Sequence, residues 1–222
     1  MIQLAYIHDF SRMEDAARAD LAAIQAMGAE LEGTGKPFVI ASGVVGLAVG
    51  RTATEEDQPA DGVHPRMAGV QAALALRDVR TSIVRLPPTV HGDGDHGFMS
   101  VIVGIARDTG VSGYIGDGAN RWPAVHVKDA ASAFRLALEQ APAGTALHPV
   151  DDEGVPIREV AKVIGRHLEL PVEARPAEHF GWLGRFLALD APVSSALTRE
   201  RFGWAPTQPG LLEDLEEGHY FR

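Results

Sequence analysis

Three stretches carry residue types that could do chemistry. His91-Gly92-Asp93-Gly94-Asp95-His96 sets two imidazoles and two carboxylates close together, ligand types that suit zinc or manganese. Alternating Asp and Gly is also ordinary turn chemistry, and no second ligand pair follows at helical spacing, so no metal site is expected there. Gly43-Val44-Val45-Gly46-Leu47-Ala48-Val49-Gly50 follows an apolar run and could bring backbone close to a pyrophosphate. An anion needs a helix N-terminus at that point. The sequence instead continues into the acidic stretch Thr52–Asp61, so the glycines read as a strand-to-loop turn. The third stretch, Gly116 to Asp129, presents Asn120, Arg121 and Trp122 on a glycine turn before Val125-His126-Val127. Arg121 beside a cleft suits bidentate capture of phosphate or carboxylate. Equally, Arg121 caps a helix and Trp122 fills a seam between lobes. Asp129 is most simply the N-cap of the next helix.

Positioning these groups falls to an alternation of strands and helices. Ile2–Ile7 reads as a short strand. Ser11 and Glu14 form a capping box for a helix with apolar spacing through Ala16, Ala17, Leu21, Ile24, Met27 and Leu31, ended by Gly33 and Gly35. Pro37–Ser42 is a second strand, the polar run from Gly46 to Pro65 a long loop, and Pro65–Leu76 a helix. Thr81–Leu86 is a buried strand stopped by Pro87 and Pro88, which cannot donate ladder hydrogen bonds. It empties through Thr89-Val90-His91-Gly92, and the carboxyl ends of such strands are where open α/β sheets hold ligands. Further on, helices are expected at Met99–Ala106, Asp129–Gln140, Ile157–His167, Ala177–Leu189 and Ser194–Phe202, with strands at Gly113–Ile115, Val125–Val127 and Ala146–Val150, before an acidic tail. The pattern predicts α/β architecture: a partial Rossmann-like, doubly wound parallel sheet over residues 1–95 and a smaller helix-rich lobe over 96–222.

Bulk properties narrow the partners. The 222 residues carry a net charge of −10, which argues against nucleic acid or an anionic membrane. No apolar run approaches the roughly 20 residues of a membrane span. The first residues have no basic n-region and the chain has no cysteine, so a cytoplasmic setting without disulfides is expected.

Together these stretches resemble the extended short-chain dehydrogenases, or NAD-dependent epimerase/dehydratases, over nearly the whole chain and in the family's order. Leu4-Ala5 resembles the end of that family's fourth strand, and Val39-Ile40-Ala41-Ser42 its fifth, which ends in the catalytic Ser or Thr. Arg85-Leu86-Pro87-Pro88-Thr89-Val90-His91-Gly92 looks like its sixth strand and "RPxxVYG" loop, with His91 where Tyr is common. Arg121 with Val125–Asp129 resembles the "R…HVxD" segment, and Phe202-Gly203-Trp204-Ala205-Pro206 the late "LGWxP" element. The resemblance implies NAD or NADP as cofactor, held by Ala5, Pro87, Pro88 and Val90. It implies Ser42 at a catalytic position, and a small-molecule substrate met by Arg121, Trp122 and His126.

Two departures bear on activity. The family's opening strand, G-x-x-G-x-x-G turn and helix have no counterpart here, so a chain truncated at the fourth strand is expected, with Ile2–Ile7 as an edge that pairs with a second copy or a partner chain. The Tyr-x-x-x-Lys pair should fall near Pro65–Gln71, where Arg66 and Val70 stand. Arginine is too basic to exchange a proton at neutral pH, and His64 is a substitute only by its ordinary pKa. Two functions follow: an NAD(P)-dependent oxidoreductase or epimerase, or a non-catalytic binding module that keeps the substrate lobe.

Overall fold

The computed structural model describes residues 1–9, 12–59 and 66–222. The cap expected of Ser11 and the position of His64 lie outside these residues. The chain runs β1 (Ile2–Gln3), α1 (Met13–Leu31), β2 (Pro37–Gly43), α2 (Met67–Leu74), β3 (Arg80–Leu86), β4 (Thr89–His91), α3 (Phe98–Thr109), β5 (Ser112–Tyr114), β6 (Arg121–His126) and α4 (Val127–Gln140). It continues with β7 (Thr145–Leu147), β8 (Asp152–Pro156), α5 (Ile157–Leu168), β9 (Val172–Ala174), α6 (Gly184–Leu187), α7 (Ala196–Phe202) and α8 (Leu211–Glu216), with 3₁₀ segments at Ala177–Leu183 and His219–Phe221.

The first sheet is wholly parallel, in the order β1-β2-β3-β7. Its central strands are apolar on both faces because both faces are covered. Phe38 and Ile40 alternate with Val39 and Ala41, and a strand's side chains point to opposite faces in turn. Phe38, Ile40 and Ile83 pack with Ile24 and Leu31 of α1 and Val70 and Ala73 of α2. Val39, Ala41 and Val84 pack on the other side with Phe134 and Ala137 of α4 and with Leu147. This is the layered α/β arrangement expected.

The division at residue 95 does not follow the fold: α4 and β7 return to the first sheet after the chain has left it. The second lobe holds β4-β6-β8 and β5-β9 sheets around a core from α3, β6, α5, the 177–187 segment, α8 and Tyr220. The helix expected at Ala177–Leu189 is broken at Gly181, whose φ of 55° and ψ of −131° no helix continues through. The expected Ile2–Ile7 strand ends after Gln3, because the Gln3 amide donates to the Ala5 carbonyl at 2.7 Å and takes an acceptor the ladder would use. No described helix is long and apolar enough to cross a membrane.

Candidate functional site

The carboxyl ends of β1, β2 and β3 lie side by side. Ser42 is in register with Arg85 and Gly43 with Leu86, and the Val44 amide donates to the Leu86 carbonyl at 3.1 Å. Ser42 is 8% exposed, Gly43 and Ala5 are open to solvent, and Pro88 and Val90 are half-buried while Pro87 is buried. Pro87 and Pro88 carry the chain from the first sheet to β4, which pairs with β6 in the second. The prolines therefore stand at the step between the two layers, and their fixed φ makes that step stiff.

Polar groups gather on the β1 side. The Gln3 amide also donates to Asp20 Oδ1 at 2.9 Å, and Asp20 Oδ2 accepts from Arg66 Nε at 3.3 Å. The Arg66 guanidinium lies 4.2 Å from the centroid of the Tyr6 ring, a cation–π geometry. Burial raises the Tyr6 pKa, with Arg66 opposing the rise. The phenol is therefore held protonated at neutral pH and can donate a hydrogen bond. Val70, one turn on from Arg66, is a core residue against Ile24. A phenol and a cation thus meet here, but from separate elements rather than from one helix.

On the β7 side, the loop after β2 is stapled down. Arg85 is 4% exposed and donates to the carbonyls of Glu55 at 3.4 Å and Asp57 at 2.8 Å and to Gln58 Oε1 at 3.2 Å. Glu55 Oε1 accepts from the amide and hydroxyl of Thr198 at 2.7 and 2.6 Å. Burial lowers the Arg85 pKa, partly offset by Asp57 and Glu55. These groups border a cavity of about 260 Å³ that also touches Thr145 and Arg201. Neither Ser42 nor Pro88 borders it, its arginines already face carbonyls and Glu56, and it is a weaker candidate than the strand ends.

The residues expected to meet substrate do not form one wall. Arg121 begins β6 and His126 ends it, so they stand about 16 Å apart at ~3.3 Å per residue. The Arg121 guanidinium holds Asp190 through Nε at 3.0 Å and Nη2 at 2.9 Å, and this pair holds the Asp190 carboxyl below its ordinary range. Trp122 is 1% exposed and packs against Phe98 and Phe186; its assignment to substrate is corrected to the lobe's core. His126, not Asp129, caps α4, its Nδ1 accepting from the Lys128 amide at 3.1 Å. Asp129 instead accepts from the amides of Thr207 and Gln208 at 3.1 and 2.9 Å.

His126 lies beside His91, ring centroids 5.5 Å apart. Gly92, next to them, has φ of 135°, and a Cβ there would come within 3.0 Å of His126 Nε2. Only glycine lets the loop pass this imidazole. His91 is wholly buried and its Nδ1 is 2.9 Å from Asp214 Oδ2, while Tyr220 accepts from the Gly92 amide at 3.3 Å and donates to Asp95 at 3.0 Å. The tail therefore clamps the loop that follows β4. In the sequence Asp214 and Tyr220 are masked by the many acidic side chains of the tail. Its Asp-x-x-Glu-x-His spacing was the available signal.

Comparison with known proteins agrees with this fold. No family model matches the chain. It is 44% identical over 228 residues to the Schizosaccharomyces pombe protein described as uncharacterized protein C2A9.02, covering 100% of this chain and 77% of that one. It is 41% identical over 226 residues to uncharacterized protein YLL056C of Saccharomyces cerevisiae, covering 99% and 76%. Among solved structures it resembles MoeE5 in complex with UDP-glucose and NAD, with a TM-score of 0.76 at 19% identity over 96% of this chain and 75% of that one. A UDP-glucose 4-epimerase of Thermotoga maritima matches with a TM-score of 0.76 at 16% identity over 99% and 76%. The chain belongs to the family of the two yeast proteins, on the Rossmann-like fold of the NAD-dependent epimerases and dehydratases.

Proposed function

We propose that the strand ends bearing Ala5, Ser42 and Pro87–Val90 hold the nicotinamide end of NAD or NADP, in an oxidoreductase of the epimerase/dehydratase type. The observation that carries this reading is the stiff Pro87-Pro88 step between the two sheets, which directly follows Arg85 and Leu86, the register partners of Ser42 and Gly43. MoeE5 and the epimerase, which share the fold, are described with UDP-sugars, so a small molecule of that kind is the proposed substrate and the cytoplasm its proposed setting. His126 is the remaining substrate contact. Burial lowers its pKa, leaving a neutral imidazole at pH 7 that can exchange a proton. Ser42, at the end of β2, takes the catalytic position, and the Tyr6–Arg66 pair beyond β1 offers a phenol and a cation. Arginine in place of lysine keeps the positive charge but gives no proton, so Arg66 acts on Tyr6 only electrostatically.

Calorimetric titration of the chain with NAD⁺ and with NADP⁺ tests the reading. Saturable binding of one of them with Kd at or below about 1 mM, ~4 kcal/mol of affinity, is expected. Heat of dilution alone for both would overturn it. A non-catalytic binding module is favoured by Val70, a core side chain where a proton-handling lysine would stand. Under that reading UDP-glucose binds the chain with no dinucleotide present, and the oxidoreductase reading requires the dinucleotide first.

The outer edge of β1 is the end of its sheet, and Ile2, Leu4 and Ile7 beside it are 38%, 56% and 56% exposed. Open apolar edges pair with other strands. We propose that this edge joins a second copy or a partner chain. A clean monomer in size-exclusion chromatography across micromolar concentrations would remove the second-copy reading, and an Ile2→Lys change is expected to weaken any dimer.

A further inference from the structure

Behind the loop that follows β4, the tail folds into a cluster of ligand types that the proposed cofactor cleft does not use. Asp214, Glu217 and His219 each offer one ligand atom, and these atoms all lie within 4.8 Å of one another. Gly218, at φ of 80°, makes the turn between the last helical residues and the 3₁₀ segment, and that turn brings His219 back toward Asp214. Asp214 is 1% exposed, with its Oδ2 2.9 Å from His91 Nδ1 and 3.6 Å from His219 Nε2.

His219 supplies a second and separate observation. Its side chain is 8% exposed, and its Nε2 is buried with no hydrogen-bond partner among the described residues although it faces the Asp214 carboxylate. A buried ring nitrogen left in this way has lost its hydrogen bond to water without replacement, and a bound cation would offset that loss. We infer that Asp214, Glu217 and His219 form a divalent-metal site for zinc or a similar transition ion.

The geometry fits. Zinc holds imidazole nitrogen and carboxylate oxygen at about 2.0–2.2 Å, so two ligands of a tetrahedron stand ~3.4 Å apart, close to the 3.6 Å between Asp214 Oδ2 and His219 Nε2. Glu217 is exposed, and a small rotation of its side chain closes the third corner. A carboxylate oxygen has two lone pairs, so Asp214 Oδ2 can keep His91 Nδ1–H while it binds the ion. His91 then orients the ligand from behind, as outer partners do at metal sites. One nitrogen and two carboxylate oxygens favour zinc over magnesium, which takes oxygen ligands in octahedral order. Three protein ligands leave a fourth position for water. The ion would fasten the tail to the loop after β4, through the contacts Asp214–His91 and Tyr220–Gly92. Nothing in this site needs a dinucleotide in the cleft.

The test uses the untagged chain, stripped with chelator and titrated calorimetrically with zinc chloride and with magnesium chloride. Expected are one zinc per chain, no saturable magnesium, and a zinc-dependent rise in the thermal unfolding midpoint. Glu217→Gln, at an exposed position that leaves the fold intact, and His219→Gln should each weaken zinc by about tenfold or more. His96→Gln, at the exposed histidine of the neighbouring loop, should bind as the parent does. Absence of saturable uptake overturns the inference, and so does a Glu217→Gln chain that binds zinc as tightly as the parent.

Discussion

Replacing Trp122 with alanine is expected to destabilise the chain by about 3–5 kcal/mol, the range for deleting a buried tryptophan. Its indole is 1% exposed and touches Phe98 at a centroid distance of 5.7 Å and Phe186 at 5.3 Å. Those rings bring α3 and α6 onto β6, so the hole would open where three elements of the second lobe meet. The indole belongs to the apolar core of that lobe. Urea unfolding followed by circular dichroism reads the loss. A Trp122→Ala chain as stable as the parent, but with weakened ligand binding, would return this residue to the substrate wall. Trp122→Phe, which keeps most of the volume, should cost less than half as much.

The second large effect is a loss of stability on mild acidification, centred on His148. This residue follows β7 at the carboxyl edge of the first sheet and is wholly buried. Its Nδ1 donates to the Ser194 carbonyl at 3.1 Å, and its Nε2 has no hydrogen-bond partner among the described residues. Its amide donates to the Thr198 hydroxyl at 2.8 Å, which in turn donates to Glu55. Burial pushes the imidazole down to about 4, against the opposing pull of Glu55. In the unfolded chain the same ring takes its proton near 6.5. Between these values the unfolded chain binds more protons, so stability falls as pH falls. The loss attributable to His148 is about 2 kcal/mol between pH 7 and pH 5, and on the order of 3 kcal/mol once pH passes below 4. Urea midpoints at pH 7 and pH 5 should therefore converge in His148→Asn, whose amide can replace the Nδ1–H donor. An equal pH dependence in parent and variant would show that His148 does not carry it.

How far the sequence revealed this arrangement depends on what each residue answers to. Strands β2 and β3 were legible because each is buried on both faces, and continuous apolar runs such as Phe38–Ala41 follow from that. Helix α1 was legible from its apolar spacing. Strand β8 was not: in Asp152-Glu153-Gly154-Val155-Pro156 only Val155 is buried as the strand pairs antiparallel with β6, so no apolar run marks it. Helix α8 was hidden among acidic residues, with Leu211, Asp214 and Leu215 its only buried positions.

At the site, local rules misled where distant partners decide. Asp129 has the sequence setting of an N-cap, yet its carboxylate serves amides 78 and 79 residues away. Arg121 has the setting of an anion clamp, yet Asp190, across the lobe, already occupies its fork. The family resemblance located Ser42 and the Pro87–Val90 loop in one place. It could not foresee Arg66 stacked on Tyr6, because that contact joins the segment after β1 to the N-cap of α2.

The central claim is that a dinucleotide meets the carboxyl ends of β1–β3. Hydrogen–deuterium exchange of backbone amides, with and without saturating NAD⁺ or NADP⁺, tests it most directly. Slowed exchange is expected only at residues 42–46 and 89–92, with the amides around Thr145 and Arg201 unchanged. Protection at the cavity beside Arg85 and Arg201 with none at residues 42–46 and 89–92 would contradict it.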